Sequence, residues 1–299
     1  MDGRLPTLSL GLPNFGEWFG GDWSRLLDLA RAAEDAGVDR LVVTDHVLMG
    51  RNTDAYVWGR FPTPPDGPWM EPLTCLSAIA SVTHRVRLAT GIIIAPLRPA
   101  PLLAKAVATL DVLSNGRVDL GVGVGWQREE YDAVGLDFAS RGQLLDDTLG
   151  ACRALWSQLP ASYSSSTVTF DDVFCSPQPV QTRLPVWFSG TMSGRTVRRV
   201  SELGDGWIPI MGATLDQIRD GAARLRAATN RPLEVQAPLP LARRQDKTLD
   251  VAATIEHVPA LVDAGVTNVY INAASLAPSP IAVAGAVTGF AHAFLEAAR

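Results

Sequence analysis

Cysteine, histidine and positive charge are all scarce in this chain. Its three cysteines, Cys75, Cys152 and Cys175, are an odd number without metal-type spacing, which excludes a disulfide framework and a zinc site and reads as reduced thiols. The four histidines, His46, His84, His257 and His292, also lack ligand spacing, so no metal is expected. Acidic residues outnumber basic ones, 31 to 26, and the net charge of −5 excludes a polyanion-binding surface, hence nucleic acid, as the main purpose. No run of about 18 apolar residues occurs, and no apolar stretch of signal length follows Met1-Asp2-Gly3-Arg4. The expectation is a cytoplasmic protein without a membrane segment. A Gly-x-Ser-x-Gly elbow is missing, which weakens a hydrolase, and no strand-borne lysine suggests a lyase or isomerase. The stretch Gly11-Leu12-Pro13-Asn14-Phe15-Gly16 carries a proline and no Gly-x-Gly-x-x-Gly, which counts against a doubly wound nucleotide fold.

What is present is a repeated alternation of short apolar runs with helical periodicity. Strands are predicted at Leu8 to Pro13, Arg40 to Thr44, Val86 to Ile94, Val118 to Gly123, Pro185 to Ser189, Gly206 to Ile210, Leu233 to Leu239 and Val266 to Ile271. Helices follow at Trp23 to Ala36, Glu71 to Thr83, Ala100 to Leu113, Arg141 to Trp156, Gly194 to Leu203, Leu215 to Thr229, Val251 to Ala264 and Ala282 to Ala297. In the third helix Leu103, Val107, Leu110 and Leu113 are predicted on one buried face. The junctions Asp35-Ala36-Gly37-Val38 and Asp263-Ala264-Gly265-Val266 repeat, with glycine as a left-handed cap. Eight such units predict an α/β fold, a (β/α)8 TIM barrel, as one domain over 1–299, with its chemistry at the C-terminal ends of the strands. Two connections are long: 46–70, rich in aromatics and read as a lid, and 157–184, read as an excursion holding a short hairpin.

Candidate chemistry clusters after the strands. Thr44-Asp45-His46 ends the second strand, and an imidazole titrating near pH 6.5 exchanges protons without large tuning. Gly91 interrupts a β-branched run, which marks a bulge or a close approach to a ligand. Gly121, Gly123 and Gly125 alternate, leaving either a slot for a flat ring or room for barrel packing. Ser189-Gly190-Thr191-Met192-Ser193-Gly194 runs into a helix N-terminus suited to an anion, with Arg195, Arg198 and Arg199 beyond it. Glu129-Glu130 is either a working acid pair or a solvated helix start.

These segments, in this order, resemble the luciferase-like oxidoreductase superfamily and its branch using the deazaflavin coenzyme F420. The likeness rests on Thr44-Asp45-His46, on Glu71-Pro72-Leu73 and Val86 to Gly91, on Ala104-Lys105 with Leu110 to Arg117, and on Gly121 to Trp126. Pro185 to Gly190 and Gly204-Asp205-Gly206-Trp207 complete it. The resemblance implies a luciferase-like barrel in which Asp45 and His46 lie beside the reactive ring, with His46 relaying a proton. It implies a bulge at Thr90, Gly91 and Ile92 behind the ring, often with a cis Gly91–Ile92 bond. Gly125 would be a backbone contact, and Ser189, Gly190, Thr191, Met192 and Ser193 would hold the cofactor's phosphate side. Sugar-phosphate dehydrogenases of the family have an acidic residue where this chain has Trp126. That departure favours a flatter, more apolar substrate against Trp126, Trp69 and Glu129. The expected activity is hydride transfer between F420 and a small organic substrate. The alternatives are an FMN-dependent monooxygenase and a barrel that binds a flavin or deazaflavin without turnover; the family's habits also imply a homodimer.

Overall fold

The computed structural model describes residues 6–58, 61–277 and 279–297; the Met1–Arg4 start, two lid residues and the extreme C-terminus lie outside the described residues. The barrel strands are β1 (Thr7–Gly11), β2 (Arg40–Val43), β3 (Arg87–Thr90), continued by β4 (Ile93–Ile94), β5 (Val118–Gly123), β8 (Val186–Ser189), β9 (Gly206–Ile208), β10 (Glu234–Pro238) and β11 (Asn268–Asn272). Between β5 and β8 stands a separate antiparallel hairpin, β6 (Ala161–Ser164) and β7 (Thr169–Val173). The helices are α1 (Ser24–Asp35), α2 (Pro72–Ala80), α3 (Ala100–Leu113), α4 (Arg128–Ala133), α5 (Arg141–Ser157), α6 (Gly194–Glu202), α7 (Leu215–Ala228), α8 (Val251–Ile255), α9 (Val258–Asp263) and α10 (Val283–Ala297).

All barrel pairings are parallel, and β3 with β5 closes the ring, Leu88 opposite Val118 and Ala89 opposite Asp119. The order β1-β2-β3-β5-β8-β9-β10-β11 returns to β1, so the expected luciferase-like TIM barrel is the fold. Gly37 and Gly265, with φ of +85° and +94°, cap α1 and α9 at the N-terminal end of the barrel, and their left-handed backbone disfavours any residue with a Cβ. Glu71 accepts from Thr74 N at 2.7 Å and Pro72 fills the first turn, which starts α2 one residue later than predicted.

Three departures have local causes. The predicted eighth-unit helix Val251 to Ala264 is broken into α8 and α9 because Pro259 opens a new first turn after His257. The third strand is interrupted at Gly91–Ile92, a cis bond, so β3 and β4 replace one run. Leu113 is 69% exposed, since the inner face of α3 ends with the buried polar residues Asp111 and Ser114. Asp111 there accepts from Gln181 N at 3.1 Å and Val118 N at 3.4 Å, tying the helix end to β5. Helix α4 bears out the helix start read at Glu129-Glu130, but Glu130 there is buried and not solvated. No described helix is long and apolar enough to cross a membrane.

The N-terminal end of the barrel interior is plugged by charge. Asp119, 2% exposed, accepts from Arg40 at 2.7 Å and from Arg87 at 2.6 and 2.8 Å; Arg40 also reaches Glu234 at 3.4 Å and stacks over Trp187. Burial alone would raise the Asp119 carboxyl, but Arg40 and Arg87 outweigh it and hold the group below the usual carboxylate range. Its contribution is therefore complete above the unfolded-state value, near pH 4, and disappears as pH falls through the lower folded value. Asp119→Ala, which leaves the buried Arg40 guanidinium without its carboxylate, is expected to cost about 3–5 kcal/mol in urea unfolding. Asp119→Asn should in addition flatten the acid side of the stability profile; an unchanged acid limb would show that Asp119 is not titrating as described.

Candidate active site

Strand β2 is buried throughout and delivers Thr44, Asp45 and His46 to the barrel mouth. His46 Nδ1 stands 3.2 Å from Glu130 Oε2, and Glu130 Oε1 accepts the Val47 N–H at 2.8 Å. The Glu130 side chain is fully buried. A carboxylate accepts hydrogen bonds only, so this pairing places the imidazole proton on Nδ1 and leaves Nε2, which has no partner among the described residues, to take or give one. The working acid of the Glu129-Glu130 pair is thus Glu130. Glu129, expected on the substrate, is half-buried against the lid, where a Cβ on Gly50 would lie 2.6 Å from its carboxyl carbon.

The 46–70 connection folds over His46 as an aromatic cluster. Trp69, Phe61 and Trp126 meet the imidazole nearly edge-on at ring separations of 4.7, 5.6 and 5.8 Å, and Tyr56 packs on both Phe61 and Trp126 at 5.4 Å. Tyr56 also extends to Met211, beyond β9, at 3.8 Å. Tyr56 and Phe61 line, with Thr53, Asp54, Pro62, Thr63 and Pro64, a cleft of about 650 Å³. Fully buried Asn14 pins both ends of the lid. Its amide nitrogen donates to Thr44 O at 2.8 Å and Met70 O at 3.0 Å, while its oxygen accepts from Thr44 N at 3.0 Å.

The expected cofactor residues divide. Asp45 is corrected from a proton-handling and ring-contacting group to a holding one: its buried carboxylate accepts from Ile94 N at 2.8 Å and from Arg98 at 2.7 and 3.0 Å. Arg98 continues to Glu71 at 3.0 Å, so the chain Asp45-Arg98-Glu71 fixes β2, β4 and α2 together. Thr90 is likewise corrected, being buried with its hydroxyl donated to Gly121 O at 2.6 Å. The alternating glycines leave no slot for a ring. A Cβ on Gly121 would overlap the Thr90 carbonyl oxygen, and one on Gly123 would meet Ile92 at 2.8 Å, so both glycines admit protein. Gly91, Ile92 and Gly125 stay half-buried at the mouth.

After β8, Gly190 has open space where a side chain would be, and its carbonyl accepts from Trp207 Nε1 at 2.9 Å. Ser189 and Met192 are half-buried and Thr191 is exposed. The Ser193 hydroxyl is used as a cap, accepting from Thr196 N at 3.2 Å. Arg198 and Arg199 both pair with Asp146, whereas Arg195 has no carboxylate partner among the described residues. A cavity of about 130 Å³ lies behind this loop, against Trp207 and Ile210.

With this geometry in place, comparison with known proteins is decisive at one level. The model of a family described as luciferase-like monooxygenase matches residues 10–287. The chain belongs to that family. An uncharacterised protein of Mycobacterium tuberculosis is 35% identical over 184 residues, 60% of this chain and 65% of its own length, so the match spans somewhat less than two thirds of that relative. An F420-dependent glucose-6-phosphate dehydrogenase of Amycolatopsis mediterranei is 29% identical over 200 residues, 65% of this chain and 56% of that protein. Among solved structures, the monooxygenase RslO1 from Streptomyces bottropensis superposes with a TM-score of 0.81 at 18% identity, covering 97% of this chain and 99% of that one.

Within this luciferase-like barrel, His46, Trp69 and Trp126 come together, while Asp45 turns to Arg98 and Ile94. Sequence reasoning passed over Asn14, Arg98 and the particular role of Glu130. The only sequence signal for Glu130 was its position at the start of a helix beyond the fourth strand, which two adjacent glutamates made ambiguous. Two outcomes test the geometry. In long-range ¹H–¹⁵N spectra the neutral His46 ring should carry its proton on Nδ1, and Glu130→Gln should move the population toward Nε2–H, since an amide can donate where the carboxylate accepts. Asn14→Ala, which unpairs buried backbone groups at both lid ends, should cost about 1–3 kcal/mol and speed proteolysis within 46–70; cleavage unchanged from wild type would remove Asn14 as the pin.

Proposed function

We propose that this luciferase-like enzyme is an oxidoreductase that transfers a hydride between coenzyme F420 and a small, rather apolar organic substrate. One observation carries the reading: an imidazole with one nitrogen committed to a buried carboxylate and the other unpartnered, set among aromatic rings at the C-terminal end of the barrel. The F420 dependence of the relative from Amycolatopsis supports the choice of cofactor. The residues also fit such a group. Gly190 opens onto free space, and Gly91 and Gly125, having no side chains, present half-buried backbone at the mouth. The lid cleft falls within the range of about 300–1,000 Å³ usual for small-molecule sites.

When bound, the deazaflavin supplies or accepts two electrons as hydride. The chain's own part is to hold and move the accompanying proton. Glu130 holds the proton on Nδ1, so that Nε2 of the neutral ring takes the substrate's proton in the oxidative direction, giving the imidazolium, and the imidazolium returns a proton from Nε2 in the reductive one. Asp45 holds the strand end in place through Arg98 and Ile94. The aromatic lid excludes water from this exchange, and Trp126 presents a flat apolar wall where a sugar-binding carboxylate would be needed for a phosphorylated sugar.

Titration with the deazaflavin and separately with FMN, following quenching of ligand fluorescence, tests this reading. Micromolar or tighter binding of the deazaflavin alone is expected; a preference for FMN would transfer the enzyme to the monooxygenase side of the family, and binding of neither would remove the cofactor assignment. His46→Ala should bind the deazaflavin as wild type does while turnover falls by about 10²–10⁴. Unchanged turnover would exclude His46 as the proton relay.

A further inference from the structure

The barrel interior above its charged plug contains one titratable group with no task so far. Tyr270 lies in β11, two residues beyond Asn268, whose amide is bonded inside the barrel to Ser9 at 2.8 Å and to Gln236 at 2.8 Å. Strand alternation puts Tyr270 on the same inward face. The phenol then rises toward the mouth over Gly11, where a Cβ would overlap its hydroxyl and come within 2.7 Å of the ring carbon bearing it. Gly11 is in register with Val42 on one side and Asn272 on the other, so the hydroxyl reaches the layer in which β1, β2 and β11 end. Residue 270 is half-buried, not sealed. Burial pushes its pKa up to about 12, with the Asn272 side chain opposing and the lid's Tyr56 adding to the rise, so it stays a neutral donor throughout the working range of an enzyme.

Phenylalanine would fill the space over Gly11 with the same ring. The Asn272 side chain is within hydrogen-bonding reach of the hydroxyl, and its own oxygen already accepts from Ala274 N at 2.9 Å, so what remains for an arriving acceptor is the phenolic proton. We propose that Tyr270 is a substrate-contacting residue, its hydroxyl donating a hydrogen bond to a carbonyl or hydroxyl oxygen on a planar, largely apolar molecule held between the barrel floor and the aromatic lid. This rests on reading the mouth as the substrate site. It narrows the substrate class from small organic molecules to oxygen-bearing ones, and it places that oxygen on the side of the mouth formed by β11, β1 and β2, across from the exposed backbone of Gly91 and Gly125. His46 follows β2, on the same side of the mouth.

The probe is acetophenone labelled with ¹³C at the carbonyl, observed by NMR with the full chain, with and without the deazaflavin. Bound to the wild type, the carbonyl signal is expected downfield of its position in an apolar solvent, as hydrogen bonding to a ketone oxygen requires. In Tyr270→Phe the shift should vanish and affinity fall by about 3–10-fold, the value of one net hydrogen bond, with thermal stability and the deazaflavin titration unaltered. His46→Ala should keep the shift. A wild type that leaves the signal unmoved, or a Tyr270→Phe protein that moves it equally, overturns the proposal. A shift that depends on Tyr270 in a protein that fails to bind the deazaflavin would uphold the contact and reject the F420 reading, which keeps the two outcomes apart.

Discussion

A carboxylate buried inside the barrel, Asp119, meets two guanidinium groups across the seam where β3 and β5 close the ring, and the placement of everything above follows from that closure. Arg40, Arg87 and Asp119 come from three neighbouring strands, and Glu234 adds a fourth. Such a cluster is a poor source of net stability, because desolvation consumes most of the Coulomb attraction. Its effect is on register. A strand slipped by one residue would turn its charged side chain out of the interior and leave the others buried and unpaired. With the register fixed at the N-terminal end, each strand reaches the mouth at a set height and presents a set residue.

Polar and small residues in the layers above then divide the work. Small residues at Gly11, Gly121 and Gly123 let neighbouring groups cross the interior: the Tyr270 phenol over the first, the Thr90 carbonyl and Ile92 over the others. Acidic residues act mainly as supports. Asp45 is consumed by Arg98 and Ile94, Asp111 by the turn into β5, and Glu34 by three successive backbone N–H groups at 84–86. Among the described residues His46 Nε2 keeps an atom without a partner, and Gly190 keeps open space beside it in place of a side chain.

The lid makes this a site and not merely a barrel end. Asn14, in the loop after β1, uses three of its hydrogen bonds to hold Thr44 and Met70, so a connection of some twenty-five residues leaves and returns at one point. Between those ends the aromatic rings pack on one another and on His46 in place of an apolar core of their own. Edge-on contact with three rings restricts the imidazole alongside the Glu130 hydrogen bond.

Alternating apolar runs, glycine junctions and missing motifs were enough to determine the barrel and to bring Thr44, Asp45 and His46 to a strand end, because strand burial and tight turns leave a periodic trace in a linear code. Pro259 could have been read as a helix break from the sequence too, since proline acts locally. Other features had no local trace. That Glu130 and not Glu129 faces His46 depends on how α4 is rotated against β2, 84 residues away. That Asp45 is spent on Arg98 depends on the chain's turn through Gly91–Ile92, and that Tyr270 lies over Gly11 depends on the last strand closing beside the first. The sequence alone determined the barrel and the strand ends that meet at its mouth; only the closed tertiary structure decided which side chains there pair with one another, because that depends on partners distant in the chain.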